Sequence, residues 1–512
     1  MTTPVRAGDG LARDALTVLQ PGFAGTTAPD WLLRRLGEGL STVALFGRNV
    51  HSPDQLAALT ARLRAERDDV LVAVDEEGGD VTRLEVRTGS SFPGNLALGT
   101  VDDPDLTRAV AREIGRRLAA CGVNLDWAPS ADVNSDPANP VIGVRSFGAD
   151  PHLVARHTAA YVEGLQSAGV AACAKHFPGH GDTAVDSHLA LPRVDVDLAP
   201  LRARELVPFQ AAVAAGTRAV MSAHILLPAL DPARPATLSP AALRGLLRAP
   251  TDAGGLGFDG LIITDGMEMR AVSVAYGVAR GSVLALAAGA DAICVGGGST
   301  DEATVLRLRD ALVAAVRAGE LPEERLADAA SRVRALARWT RGAGAAEGVE
   351  PAPDVGIAAA RRAVRVTPGP GGYEPLTGPV YVAALTPVEN MAVGGETPWG
   401  VAAELARLLP GTATATYGER DVACGGAPAL AARVLAAAGG RRIVAVVRDT
   451  HRHRWMADAL AAVLAARPDA AVVEMGVPQA PPAGAPHVAT YGAARVCGQA
   501  AAEVLTGGLP GG

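Results

Sequence analysis

The sequence predicts an α/β protein: a (β/α)8, TIM-like barrel followed by a smaller α/β three-layer sandwich domain. The first sign is alternation. From the N-terminus to about residue 300, short apolar β-type runs trade places with longer stretches of helical period. Strands buried on both faces read as continuous apolar runs, and helical crossovers make their sheet parallel. About eight such units suit a barrel of ordinary size. The second sign is where the polar residues fall. Asp75, Asp126, Lys175, His176, His224 and Asp265 all close their apolar runs, at the strand ends where barrel active sites are built. The third is a second, shorter α/β series towards the C-terminus. A doubly wound open sheet is the alternative fold for the first series.

Taken in order, the expected barrel strands are Leu16 to Leu19, Thr42 to Phe46, Val70 to Asp75 and Val123 to Trp127. Val170 to Ala174, Ala219 to His224, Leu261 to Asp265 and Ala292 to Val295 follow. Amphipathic stretches between them include Leu106 to Ala120, Leu153 to Ala168 and Leu201 to Ala215. A long helical pattern from Asp301 to Trp339 is divided by Leu321-Pro322. Residues 1–341 are therefore read as the barrel with trailing helices, and 342–375 as a linker rich in Gly, Pro and Ala with one short helix, Val355 to Val366. Residues 376–512 form the sandwich, from strands Val380 to Leu385, Ile443 to Val447 and Ala471 to Met475, with helices Val401 to Leu409 and His453 to Ala466.

Composition narrows the function. Apolar residues make up 49% and charged residues 20% of 512, a globular balance rather than a disordered one. The net charge of −7 lacks the basic stripe that nucleic acid requires. No apolar run is long enough to span a membrane, and the first residues carry no secretory pattern, so a cytoplasmic location is expected. The five scattered cysteines fit buried thiols in a reducing compartment.

The densest chemistry lies in Ala174-Lys-His-Phe-Pro-Gly-His-Gly-Asp-Thr-Ala-Val-Asp-Ser-His188, which Pro and Gly keep from being a helix. Asp186 and His188 stand two apart, so in extended chain the carboxylate reaches the imidazole and fixes its tautomer. The pair then suits general acid–base work, or simply a loop histidine satisfied by its neighbour. Asp265 ends a very apolar strand before Gly266 and suits a nucleophile, or else a helix N-cap. Asp75-Glu-Glu-Gly-Gly79, Arg145, Lys175 and His176 alternate acceptors and donors, as a polyhydroxylated ligand requires. His176 and His180 have H-x3-H spacing, but metal ligands at that spacing need a helix; neither a metal nor a cofactor is expected.

Together, Lys175-His-Phe-Pro-Gly-His-Gly, Asp186-Ser-His188, Asp75-Glu-Glu-Gly-Gly, Arg145-Ser-Phe-Gly and Ile263-Thr-Asp265 closely resemble glycoside hydrolase family 3, more narrowly its β-N-acetylglucosaminidase branch. The resemblance implies a barrel active site in which Asp265 is the nucleophile and His188, assisted by Asp186, the acid/base. It implies that Asp75, Arg145, Lys175 and His176 hold the terminal sugar. The family usually has Arg after the paired glycines; this chain has Asp80.

The expected function is a retaining exo-β-N-acetylglucosaminidase acting on muropeptides or small chitin-type oligosaccharides, with a small glycoside as its partner and no nucleic acid or membrane. A histidine acid/base does not repel an anionic acceptor, so a phosphorylase on the same scaffold is one alternative. A β-glucosidase using Glu474 as acid is another, and a catalytically dead sugar-binding protein a third. Aromatics at 4% argue for a grip on one or two sugars rather than a long stacking cleft.

Overall fold

The eight apolar runs before residue 300 become eight short strands in the computed structural model, which describes residues 7–188, 190–298, 301–343, 350–369, 371–387, 397–423 and 425–508. They are β1 (Leu19–Pro21), β2 (Thr42–Ala44), β3 (Leu71–Val74), β4 (Leu125–Asp126), β5 (Ala171–Phe177), β6 (Ala219–Ser222), β7 (Leu261–Thr264) and β8 (Ile293–Val295). Strands β2 to β7 form one parallel sheet in chain order, β1 pairs with β8, and an Ile263–Ala292 bridge joins β7 to β8. The curled sheet is that of a barrel. Its inner set takes alternate residues from each strand, such as Leu71 and Ala73, Ala171 and Cys173, Leu261 and Ile263. Val333, Leu336 and Ala337 of the helix Glu323–Gly342 pack against that set.

Several element bounds differ from the sequence expectation. Leu16 and Thr17 belong to the helix Ala7–Thr17, and the strand begins only at Leu19. An unbroken apolar run gives no period from which to place that junction. The helix expected over Leu201 to Ala215 divides into Leu198–Ala203 and Leu206–Ala214. At the break, Arg204 turns to pair with Asp182 and Glu205. Strand β5 continues to Phe177, so Lys175 and His176 are strand residues. The long pattern after the barrel does divide at Pro322, into Glu302–Arg317 and Glu323–Gly342.

The chain forms two compact units: Met1–Glu76, Thr107–Ile142 and Ala149–Ala352 make the first, and Glu77–Leu106, Gly143–Gly148 and Pro353–Gly512 the second. The second unit thus takes two segments from within the barrel's stretch of sequence, which a single cut at residue 341 does not anticipate. It also takes most of the 342–375 region. There the short helix is Val355–Ala363, and β9 (Arg365–Thr367) comes after it. The remaining strands are β10 (Tyr381–Leu385), β11 (Ala413–Tyr417), β12 (Ile443–Val447), β13 (Ala471–Glu474) and β14 (His487–Ala489), in the order β11-β10-β12-β13-β14-β9. All pairings are parallel except that of β9 at the edge. One face packs on helices including Ala402–Leu408 and Arg495–Leu505, the other on Gly426–Ala438 and Arg454–Ala466, giving three layers. Strands β11 and β14 escape a sequence reading for different reasons: β11 is half exposed, and β14 has three residues.

Helices of the first unit pack closely where glycine permits. A Cβ at Gly164, on the helix Pro151–Ser167, would stand 2.3 Å from the Arg108 carbonyl oxygen of the helix Pro104–Ala120. Backbone cannot yield as a side-chain tip can. Gly164→Ala gains about 1 kcal/mol of helix propensity but incurs roughly 1–3 kcal/mol of overpacking. The expected outcome is a lower melting temperature by circular dichroism; an unchanged or higher one would contradict this packing.

Candidate active site

Strand β5 runs a polar pair through the barrel wall. With a period of two, Cys173 faces the inner set and Lys175 continues the same row. The Lys175 ammonium donates to the Asp75 carboxylate, which immediately follows β3. Lys175 is only 2% exposed and Asp75 is 23% exposed, so the buried cation is paired and the acid reaches outward. His176 turns the other way, onto Asp132: its Nδ1 lies 2.7 Å from Oδ2 and its backbone N–H donates to Oδ1 at 3.1 Å. Nδ1 is thereby the protonated nitrogen, and Nε2 is the one presented elsewhere. Burial by itself would raise the Asp132 carboxyl, but His176 and His180 beside it bring it below the ordinary range.

The loop after β5 is built on His180. Its backbone N–H donates to Asp132 Oδ1 at 2.7 Å. Its ring nitrogens meet Thr183 Oγ1 and Ser187 Oγ, each at 3.1 Å. Burial depresses the imidazole to about 4, so it is neutral near pH 7. Asn139 Nδ2 donates to the carbonyls of His180 and Gly181, and a Cβ on Gly181 would fall 1.7 Å from the Val133 carbonyl oxygen. These struts fix Ser187 between Asp186 and His188. There the Asp186 carboxylate accepts from the His188 backbone N–H and lies 2.8 Å from its Nδ1. Burial works to raise the Asp186 carboxyl, but the His188 contacts outweigh it and leave it lowered.

Asp265 stands one residue beyond β7. Its N–H donates to the Ser222 carbonyl and its Oδ1 accepts from Gly266 N–H at 2.7 Å. The next helix is capped at Met269, so Asp265 is not its N-cap. Burial would raise this carboxyl; His224, His176, His188 and the Gly266 N–H together bring it down to about 2. The residue is therefore anionic at any ordinary pH, within the electrostatic reach of His188. His224 holds the turn from beneath, its Nε2 3.0 Å from the Gly266 carbonyl and its Nδ1 2.9 Å from Thr237 Oγ1. Burial keeps its imidazole below the usual range.

The first unit thus brings together Asp75, Lys175, His176, Asp186, His188 and Asp265. Arg145 belongs to the second unit, where it grips Glu77 in a fork, Nε to Oε2 at 3.0 Å and Nη2 to Oε1 at 2.7 Å. Asp80, the departure from the family pattern, pairs with Arg448 and accepts Ala493 N–H at 2.7 Å. Glu474 is only 2% exposed and accepts from Asp449 N–H, Gly476 N–H and the Thr450 hydroxyl. It serves as an internal acceptor of the second unit, its carboxyl raised by burial. His453 caps the helix Arg454–Ala466 and His451 lies in the short turn before it. Among the described residues, no group of three or more His, Cys, Asp or Glu is placed to hold a metal.

Sequence reasoning assigned no role to Asp132 or His224. Asp132 follows β4 in a proline-bearing segment without period, and only its position after a strand end could have marked it. Glu205 was also missed. It packs against Gly179, where a Cβ would come within 2.7 Å of its Oε2, and that oxygen has no hydrogen-bond partner among the described residues. Burial raises its carboxyl to about 7; Arg204 opposes the rise, while Asp132 and Asp182 add to it.

Glu205 therefore holds a proton in the folded chain that the unfolded chain releases near pH 4.5. Stability from this group is complete below about pH 4.5, falls as pH rises through 7, and stays reduced above it. Glu205→Gln removes the charge, lifting a penalty of up to about 3 kcal/mol. Its melting temperature relative to the parent should be clearly higher at pH 8 than at pH 5. Equal differences at the two pH values would show that Glu205 does not titrate in this window.

Comparison with known proteins bears on the family and the fold. Residues 31–336 match the glycosyl hydrolase family 3 N-terminal domain. Beta-hexosaminidase A of Pseudoalteromonas piscicida is 34% identical over 352 residues, 64% of this chain, which spans 56% of that protein's length. The beta-hexosaminidase of Methylococcus capsulatus is 39% identical over 262 residues, 51% of this chain and 76% of that one. The solved family 3 β-N-acetylglucosaminidase from Paenibacillus sp. FPU-7 superposes with a TM-score of 0.84 at 34% identity, over 98% of this chain and 97% of that chain. With its barrel, its sandwich and the family match over more than half of its length, the chain belongs to glycoside hydrolase family 3.

Proposed function

We propose that the protein is a retaining exo-β-N-acetylglucosaminidase that releases terminal GlcNAc from muropeptides or small chitin-type oligosaccharides. The observation that carries this reading is a half-buried Asp265 kept anionic beside a histidine whose Nδ1 is engaged by Asp186. An anionic carboxylate suits attack on an anomeric carbon, and an oriented imidazole suits proton transfer through its Nε2. Asp265 forms an ester to the sugar while His188 Nε2–H protonates the departing glycosidic oxygen. Water then attacks the same carbon, gives its proton to Nε2 and releases the carboxylate, so the configuration is retained. The Asp75–Lys175 pair and His176 hold hydroxyls of the terminal sugar, with Arg145 as a further donor. The names of the relatives support the N-acetylhexosamine choice over glucose, and the internal engagement of Glu474 speaks against the β-glucosidase alternative.

Asp265→Asn should lower kcat on aryl β-GlcNAc by about 10^4-fold or more while its circular dichroism spectrum stays that of the parent. An active variant would remove the nucleophile assignment. Products run with and without inorganic phosphate should be free GlcNAc in both; a phosphate-dependent sugar 1-phosphate would move the reading to phosphorolysis.

His188→Ala should slow substrates with poor leaving groups by about 10^2- to 10^4-fold and activated aryl glycosides far less, because the latter need little protonation. Equal losses on both would contradict an acid role.

A further inference from the structure

We infer that Asp80 and Arg448 are positioning residues for Arg145, acting through Glu77. The inference rests on the reading of Arg145 as a sugar-gripping residue. All four residues lie in the second unit, and the contacts that join them are continuous.

Glu77 and Asp80 stand at the two ends of one tight turn. Glu77 N–H donates to the Val81 carbonyl at 3.1 Å, and Gly78 and Gly79 between them have φ of 72° and 62°. Only glycine adopts that conformation at no cost. The turn is also boxed in: Gly79 N–H donates to the Phe92 carbonyl at 2.9 Å, and a Cβ on Gly79 would stand 2.4 Å from Gly94 Cα.

Its far end is taken up by the sandwich sheet. Asp80 accepts from the Arg448 guanidinium, just past β12, and from Ala493 N–H, just past β14. Both lie past the carboxyl ends of parallel strands, β12 and β14, which flank β13 in the sheet. Asp449 and Tyr491, at φ of 54° and 57°, mark backbone specially shaped at the same strand ends. Arg448 also lies over the Trp399 ring, 5.9 Å from its centre.

Its near end carries the fork from Glu77 to Arg145, both under a tenth exposed. Bidentate pairs tolerate little displacement, so a shift at Asp80 is delivered through the turn to the Arg145 guanidinium. Arg145 is held from its backbone as well, its carbonyl accepting from Asn95 Nδ2 at 2.7 Å. The acid at position 80 is met by an arginine of the sandwich.

The test uses the full chain. Asp80→Asn keeps the acceptor for Ala493 N–H and removes the charge, but strands the Arg448 cation. Asp80→Asn/Arg448→Gln replaces the ion pair by a neutral hydrogen-bonded pair. D80N should raise KM on aryl β-GlcNAc by about tenfold, with kcat within about twofold of the parent. Amide exchange over residues 143–148 should quicken in D80N, and the double variant should recover most of both effects. A D80N chain that only melts earlier, with KM or the exchange at 143–148 unchanged, overturns the inference and leaves a purely structural ion pair. If the parent chain fails to turn over aryl β-GlcNAc, the proposed function fails, and the exchange measurement alone still decides the linkage.

Discussion

One buried carboxylate, Asp132, is the constraint on which the loop after β5 depends. Stripping a carboxylate of water is expensive, and it is repaid here by two backbone N–H groups and an imidazole N–H. Those donors come from both sides of the Phe177-Pro-Gly turn. The carboxylate therefore staples the end of β5 to the start of the loop and sets the tautomer of His176 in the same act. From His180 the order passes outward through Thr183 and Ser187 to the Asp186–His188 pair. A loop with so little regular structure is precise because side chains anchor its backbone N–H groups and one another.

Among the carboxyls of this unit, four that are wholly or partly buried meet opposite fates, and the reason is local. Asp265 and Asp186 face imidazoles and N–H donors and stay ionised. Asp126 has a single backbone donor on Oδ1 and no described partner on Oδ2, and its acidic neighbours Glu76 and Asp75 oppose charge, so burial raises it well above the usual range. Glu205 sits between, with one arginine set against two aspartates. Burial pushes all four the same way; the count of donors and cations decides which remain anions. Under the proposed mechanism one of these carboxylates is the nucleophile and another the orienter, and such counting separates their roles.

Much of this was legible in the sequence. Apolar runs mark the eight barrel strands, and Asp75 and Asp265 stand where polar residues break those of β3 and β7, whereas Lys175 lies within β5, which runs on to Phe177. The Asp186–His188 contact was expected in extended chain; it is made instead in a turn, where Asp186 Oδ1 accepts from His188 N–H and the Asp186 carbonyl accepts from Ala190 N–H. Asp132 and His224 were not assignable, because their roles are defined by partners distant in sequence: Asp132 by residues 44 and 48 positions on, His224 by Gly266. The excursion of segments 77–106 and 143–148 into the second unit was hidden for the same reason. Its determinants are a glycine–glycine approach and ion pairs to residues hundreds of positions away. Periodicity reports which face is buried, never against what.

Asp80 bears on how a motif residue is to be judged. Taken alone, an acid in place of a usual arginine suggests a lost contact. Yet a buried charge survives only with its partner, since leaving one member of such a pair alone is strongly destabilising. A reversal that persists in a folded chain therefore implies a cation elsewhere. Arg448 is that cation, and Ala493 N–H supplies the second donor that a carboxylate, unlike a guanidinium, can accept. The exchange is not symmetric: an arginine at position 80 could offer nothing to that N–H. The sandwich strand ends and the 77–81 turn are thus fitted to one another in charge and in hydrogen-bond sense, and position 80 carries meaning only together with the groups that answer it.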